Sequence, residues 1–120
     1  MILILKLQTE ILPKALFEGL LLFLSMTLKQ FRDTIASSSP PSVSDHLKAL
    51  WYDAKDDWEQ SHNIIQDIED ADAAWIHAYL HRKEGDTGNA DYWYRRAGKK
   101  RPSVSLEQEW ENIVATLIEN

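Results

Sequence analysis

The 120-residue chain contains no cysteine, only four glycines and four prolines, and fewer basic than acidic residues. The absence of cysteine excludes a disulfide scaffold, a thiolate metal site and a cysteine nucleophile. Thirteen Lys and Arg against 19 Asp and Glu give a net charge of −6, which argues against a general nucleic-acid binder. No GxSxG elbow, Walker loop or GxGxxG pattern is present. The sequence alone therefore indicates no particular reaction.

The composition is typical of one small folded domain. Hydrophobic residues make up 44% of the chain and include five tryptophans, while 27% of the residues are charged. A chain of this length buries roughly two thirds of its unfolded surface and needs no disulfide or structural metal to fold. We therefore predict a single helical domain over residues 26–120 and a cytoplasmic location.

Residues 1–25 form a separate segment that is rich in apolar side chains but has no long apolar run. Four charged residues interrupt it at a spacing of four: Lys6, Glu10, Lys14 and Glu18. A membrane span needs about 20 nearly uninterrupted apolar residues, and no basic residue precedes the apolar stretch as in a signal peptide. Three interpretations stay open: an amphipathic helix packed on the domain or on a second copy, an interfacial membrane helix, or translated sequence upstream of a natural start at Met26.

The remaining sequence has helical periodicity and predicts an all-α fold. The Ser- and Pro-rich residues 37–42 form a linker after the first helix of the domain. Capping residues and glycines divide the rest into segments. The predicted helices cover residues 27–36, from Ser42 or Ser44 to about Ala54, from Asp56-Asp57 through Ile68, from Asp70 or Asp72 to Gly85, from Asp86 to Gly98, and 105–119, where Ser105 and Gln108 form a capping box.

Two segments can be superimposed at an offset of 29 residues. In the first, Ala49 and Tyr52 precede Asp56-Asp57-Trp58, followed by Ser61, Ile65 and Ile68. The second repeats this pattern: Ala78 and His81, then Gly85-Asp86-Thr87, then Ala90, Tyr94 and Ala97. Two alanines of the second segment, Ala78 and Ala90, would let paired helices approach closely.

The second segment resembles a tetratricopeptide repeat, with Ala78 in the first helix, Gly85-Asp86 in the turn and Pro102 at the end. The resemblance implies antiparallel helical hairpins over about residues 43–102, with the helices 27–36 and 105–119 as caps. The stretch HAYLHRKEGDTGNADYWYRRAG, residues 77–98, is also similar to small bacterial proteins. That similarity implies a bacterial origin and brings no activity with it.

The histidines carry the sharpest chemical hypothesis. His77 and His81 are four residues apart on one helical face, and Glu84 follows one turn later, so the three side chains could hold a divalent metal. His62 on the preceding helix could add a ligand, and an enzyme using His62, His77 and His81 is the alternative function. Otherwise the histidines would hydrogen-bond across the hairpin and hold its geometry.

Charge is distributed in two opposite blocks. Residues 82–101 carry seven cations and three anions, with Tyr92, Trp93 and Tyr94 among them, whereas residues 53–72 carry eight acids and one base. Basic residues interleaved with aromatics can bind phosphates or stack bases. Because the whole chain is acidic, we expect instead that the two blocks attract each other, within one molecule or head to tail between copies.

These observations favour a small helical interaction module over an enzyme. The expected partner is a peptide, another protein or a second copy of the chain, and no cofactor is expected beyond the divalent metal considered above. Trp93 would anchor the partner in a groove between hairpins, since tryptophan is common at binding hot spots. The residues expected to steer an acidic partner are Arg95, Arg96, Lys99 and Lys100.

Overall fold

The computed structural model describes residues 26–119, and every element in that range is helical. The interpretations of residues 1–25 lie outside the described residues. The six helices are α1 (Leu28–Thr34), α2 (Asp45–Ala54), α3 (Trp58–Ile65), α4 (Ala71–Lys83), α5 (Thr87–Arg96) and α6 (Leu106–Glu119). The all-α prediction is confirmed for this part of the chain.

The helices begin where short polar side chains can satisfy free backbone N–H groups. Ser44, and not Ser42, caps α2 by accepting from the N–H of Leu47. Asp70, and not Asp72, caps α4 by accepting from the N–H of Ala73 at 2.7 Å. Each cap fixes the register of the helix behind it, and with it the face on which its side chains lie.

Helices α2 and α3 form one hairpin, and α4 and α5 form a second with an equivalent turn. At the first turn Asp56 has a φ of 61°, and the N–H of Asp57 donates to the Tyr52 carbonyl at 2.9 Å. At the second turn Gly85 has a φ of 86°, and the same backbone bond recurs 29 residues later at the same length. The internal repeat in the sequence is therefore a repeat of turn geometry.

Helix α4 lies at the centre of the domain and packs against α2, α3, α5 and α6. Ala78 on α4 and Ala90 on α5 have no exposed surface, and Tyr94 is 1% exposed. Both alanines belong to the buried core to which α4 and α5 contribute, and small side chains there leave room for the two helices to approach.

Helix α6 closes the domain over both hairpins. The indole of Trp110 donates to the Leu50 carbonyl on α2 at 3.0 Å, and its ring lies 6.0 Å from that of Phe31 on α1. None of the helices within residues 26–119 combines the length and the apolar character needed to cross a bilayer.

Candidate functional site

Three histidines from two helices meet on one side of α4. His77 and His81 share a face of α4 because they are one turn apart, and α3 packs alongside and brings His62 to them. The Nε2 atoms of His62 and His77 are 3.0 Å apart, and one ring nitrogen from each of the three residues lies within 4.8 Å of the others. We call His62, His77 and His81 the histidine cluster.

Glu84 contacts the histidine cluster from outside. Its Oε1 lies 2.6 Å from Nδ1 of His81, and because a carboxylate oxygen only accepts, the N–H of this bond belongs to Nδ1. The spacing in the sequence predicted that His77, His81 and Glu84 bind a divalent metal together. In the structure His62 lies with His77 and His81, while Glu84 groups instead with His81 and Asp86.

Two tryptophans form the walls of the histidine cluster. Trp58 stacks on His62 with centroids 4.8 Å apart and rings 8° from parallel, and Trp93 stacks on His77 at 3.9 Å and 19°. The indole of Trp58 is fixed because it donates to the Leu80 carbonyl at 2.8 Å. The imidazoles of His62 and His77 are therefore held in defined orientations by aromatic neighbours.

The surroundings favour the neutral imidazole at two members of the histidine cluster, His62 and His77. Burial lowers the pKa of His77 to about 4, with further lowering from positive charge on His62 and His81. Burial also lowers the pKa of His62, helped by His81 and opposed by the carboxylate of Glu84. At neutral pH these two rings therefore keep lone pairs on nitrogen, which is the form that binds metals.

Two buried carboxylates, which the sequence analysis did not single out, hold the helices together around α4. Glu109 on α6 is 1% exposed and accepts from Tyr94 at 2.7 Å, Trp75 at 3.1 Å and Arg82 at 2.8 Å. The sequence did contain a pattern that indicates burial of Glu109, because this residue lies four residues before the core residue Ile113 on the apolar face of α6.

Asp53 on α2 is the second buried carboxylate, and it is likewise 1% exposed. It accepts from the hydroxyl of Tyr79 at 2.8 Å and from Nζ of Lys83 at 2.9 Å. Burial and the neighbouring Asp53 carboxylate raise the pKa of Tyr79 far above its ordinary value, so its hydroxyl stays protonated and donates. Tyr79 and Lys83 thus tie α4 to the first hairpin.

The residues predicted to contact a partner lie on two different surfaces. Arg95, Lys99 and Lys100 line a concavity of about 630 Å³ together with Arg101 and neighbouring residues, and we call this surface the basic depression. Trp93 and Arg96 line a separate concavity of about 480 Å³ beside Glu69 and Asp70. Trp93 is half-buried, with Arg96 over its ring at 5.3 Å.

The two charge blocks make little contact with each other inside the molecule. Among the described residues a single ion pair, Lys83 with Asp53, joins residues 82–101 to residues 53–72. Within the basic block Arg101 pairs with Asp91 at 3.0 Å, and Arg95 and Lys100 are exposed. The expected attraction between the two blocks within one molecule is therefore seen at one part-buried ion pair.

Comparison with known proteins yields no match to this chain among family models, curated proteins or solved structures, so its function is inferred from its own residues.

Proposed function

We propose that this protein is a small helical-repeat interaction module that holds an acidic segment of a partner protein in the basic depression. The two hairpins support the architectural part of the proposal, since their turns repeat at an offset of 29 residues with matching backbone bonds. Paired antiparallel helices with small residues at the crossing are what a tetratricopeptide-like module needs. Such modules present side chains of successive helices on one binding surface.

The observation that carries the functional part is the exposed positive charge on a molecule that is acidic overall. Four cations line the basic depression against one acid, Asp91, although the whole chain has a net charge of −6. Like charges gathered on one surface repel each other and are relieved when an acidic partner binds. All four cations are exposed. Because Arg101 pairs with Asp91 and Lys99 lies over the ring of Trp75, we expect Arg95 and Lys100 to contact the partner first.

The sequence analysis predicted that Trp93 anchors a partner in a groove. In this proposal Trp93 has a different role. One face of its ring stacks on His77 and Arg96 lies over the ring. Part of its surface is therefore used within the molecule, and in this proposal charge, and not a buried aromatic anchor, directs the partner. Lys99 is held in place because its ammonium lies 4.0 Å from the centroid of Trp75.

Binding of a fluorescently labelled oligoglutamate peptide tests the proposal. We expect the wild-type chain to bind it at low salt, with fluorescence anisotropy as the measurement. Reversing two charges with Arg95→Glu and Lys100→Glu should weaken binding by about tenfold or more, since each exposed ion pair contributes up to about 1 kcal/mol. Binding should also weaken steeply as salt shortens the screening length from about 10 Å at 0.1 M to about 3 Å at 1 M.

The matched control carries the same change in net charge elsewhere, as Lys29→Glu with Lys48→Glu on α1 and α2. It should bind the peptide within about twofold of the wild type once salt screens the distant charges. Equal weakening by the two double variants would contradict a localised site. Concentration-dependent self-association in sedimentation, abolished by Arg95→Glu with Lys100→Glu, would show that the acidic block of a second copy is the occupant and would overturn the partner proposal.

A further inference from the structure

The histidine cluster is assembled from separate elements, and its geometry points to a ligand. His62 comes from α3 and the other two imidazoles from α4, so their meeting depends on how the two helices pack. We propose that His62, His77 and His81 form a binding site for one divalent transition-metal ion of the zinc class. Imidazole nitrogen is a preferred ligand for zinc, and a site with three histidines is one of its standard arrangements.

The distances suit this ion with small adjustments. Zinc binds imidazole nitrogen at about 2.0–2.1 Å, so two ligands of a tetrahedral site lie about 3.3 Å apart. The Nε2 atoms of His62 and His77 are already 3.0 Å apart, and the three ligand nitrogens lie within 4.8 Å of one another. A small movement of the three rings toward one another would bring their ligand nitrogens to this separation.

Glu84 supplies the outer partner that such sites commonly have. A metal-bound histidine usually donates its second N–H to a carboxylate, which fixes the tautomer and makes the ligand more basic. Oε1 of Glu84 lies 2.6 Å from Nδ1 of His81, in the position that this role requires. Glu84 is a positioning residue in this site and not one of the three ligands.

The walls of the histidine cluster support the same proposal. Trp58 and Trp93 hold His62 and His77 by stacking, and the side chains of His77 and His81 are largely buried, at 6% and 7% exposed. An ion held by three imidazoles keeps a fourth coordination position for water or a substrate atom, as in catalytic zinc sites. This site is distinct from the basic depression, so each proposal can fail without the other.

Titration of the full chain with Zn²⁺ in a calorimeter, and with Co²⁺ followed by visible absorption, tests the site. We expect one ion per chain and the intense visible bands of tetrahedral Co²⁺, because nitrogen ligands replace the octahedral water shell. His62→Ala should weaken binding by more than about 100-fold and remove the bands, while Glu84→Ala should weaken binding by about 10–100-fold and keep them. His62 is half-buried, so its variant should keep the fold, which circular dichroism checks.

The control variant is His46→Ala, which removes the one remaining histidine of the chain, located on α2 with its ring against Asp70. Its affinity for Zn²⁺ should equal that of the wild type. The proposal is overturned if no tetrahedral Co²⁺ spectrum appears, or if His62→Ala binds as tightly as the wild type. Loss of binding in Glu84→Ala with retention in His62→Ala would assign the ion to His81, Glu84 and Asp86 instead and would equally overturn it.

Discussion

At the scale of single residues, the two hairpin turns use different amino acids for one backbone conformation. Asp56 and Gly85 occupy equivalent positions, and both have a positive φ, at 61° and 86°. Glycine adopts this region without steric cost, whereas a residue with a Cβ is strained there and Asp is among the more tolerant. The first turn therefore retains strain that the second turn avoids.

Substitutions at Asp56 and Gly85 should change stability in opposite directions. Asp56→Gly should raise the free energy of unfolding by roughly 0.5 kcal/mol, and Gly85→Ala should lower it by about 1 kcal/mol. A Cβ at Gly85 would meet no atom within 4 Å, so the second effect comes from the backbone alone. Urea denaturation measures both values, and a stabilising Gly85→Ala would contradict the assigned turn geometry.

At this scale the helix-capping residues could be predicted from the sequence, whereas the hydrogen-bond partners of buried polar side chains could not. The caps at Asp57, Asp70 and Asp86 follow from a short acidic side chain ahead of a periodic segment. The roles of Asp53 and Glu109 depend on donors from other helices. An acidic residue between core positions indicates that its side chain is buried, but the sequence does not show which donor hydrogen-bonds to it.

At the scale of helices and hairpins, close packing of α4 on α5 depends on alanine. Ala78 and Ala90 are completely buried, and interiors have no room for added volume without displacement of neighbours. A leucine at either position would force the hairpin open or push side chains out of their preferred rotamers.

Ala78→Leu and Ala90→Leu should each lower the free energy of unfolding by about 1–3 kcal/mol. Thermal and urea melts monitored by circular dichroism provide the measurement. Ala71→Leu is the matched control, because Ala71 is exposed at the first turn of α4, and it should change stability by less than about 0.5 kcal/mol. Full tolerance of leucine at both buried positions would show that the helices do not meet there.

Only the part of the candidate site that lies on a single helix could be predicted from the sequence. The spacing of four places His77 and His81 on the same face of α4 whatever the rest of the fold does. The position of His62 beside these two residues depends on how α3 and α5 pack on α4. The stacking of Trp58 and Trp93 on the imidazoles depends on the same packing. Helical spacing placed Glu84 within reach of His81 but could not show that Glu84 groups with His81 and Asp86 and not with His62 and His77.

At the scale of the whole molecule, Glu109 joins the second hairpin to α6. Its carboxylate receives hydrogen bonds from Tyr94 on α5 and from Trp75 and Arg82 on α4. Removing one partner of a buried charged network leaves the others without compensation, and this is more costly than the net contribution of the intact network. Glu109 therefore supports packing over three helices.

Glu109→Leu should lower the free energy of unfolding by about 3 kcal/mol, because Arg82 and the two aromatic donors lose their acceptor. Urea denaturation should show a lower midpoint with an unchanged slope, since the surface exposed on unfolding is the same. Glu107→Leu, at an exposed position on the same helix, serves for comparison and should change stability by less than about 0.5 kcal/mol. Similar losses in the two variants would argue against the network.

The central position of α4 has a consequence for cooperativity. The helix that carries two of the three clustered imidazoles is also the one on which α2, α3, α5 and α6 rest. A segment with neighbours on so many sides cannot detach while the rest persists, so its opening coincides with global unfolding. Any ion or molecule that binds the native form of this helix would thereby stabilise the entire domain against unfolding, through mass action rather than through local stiffening.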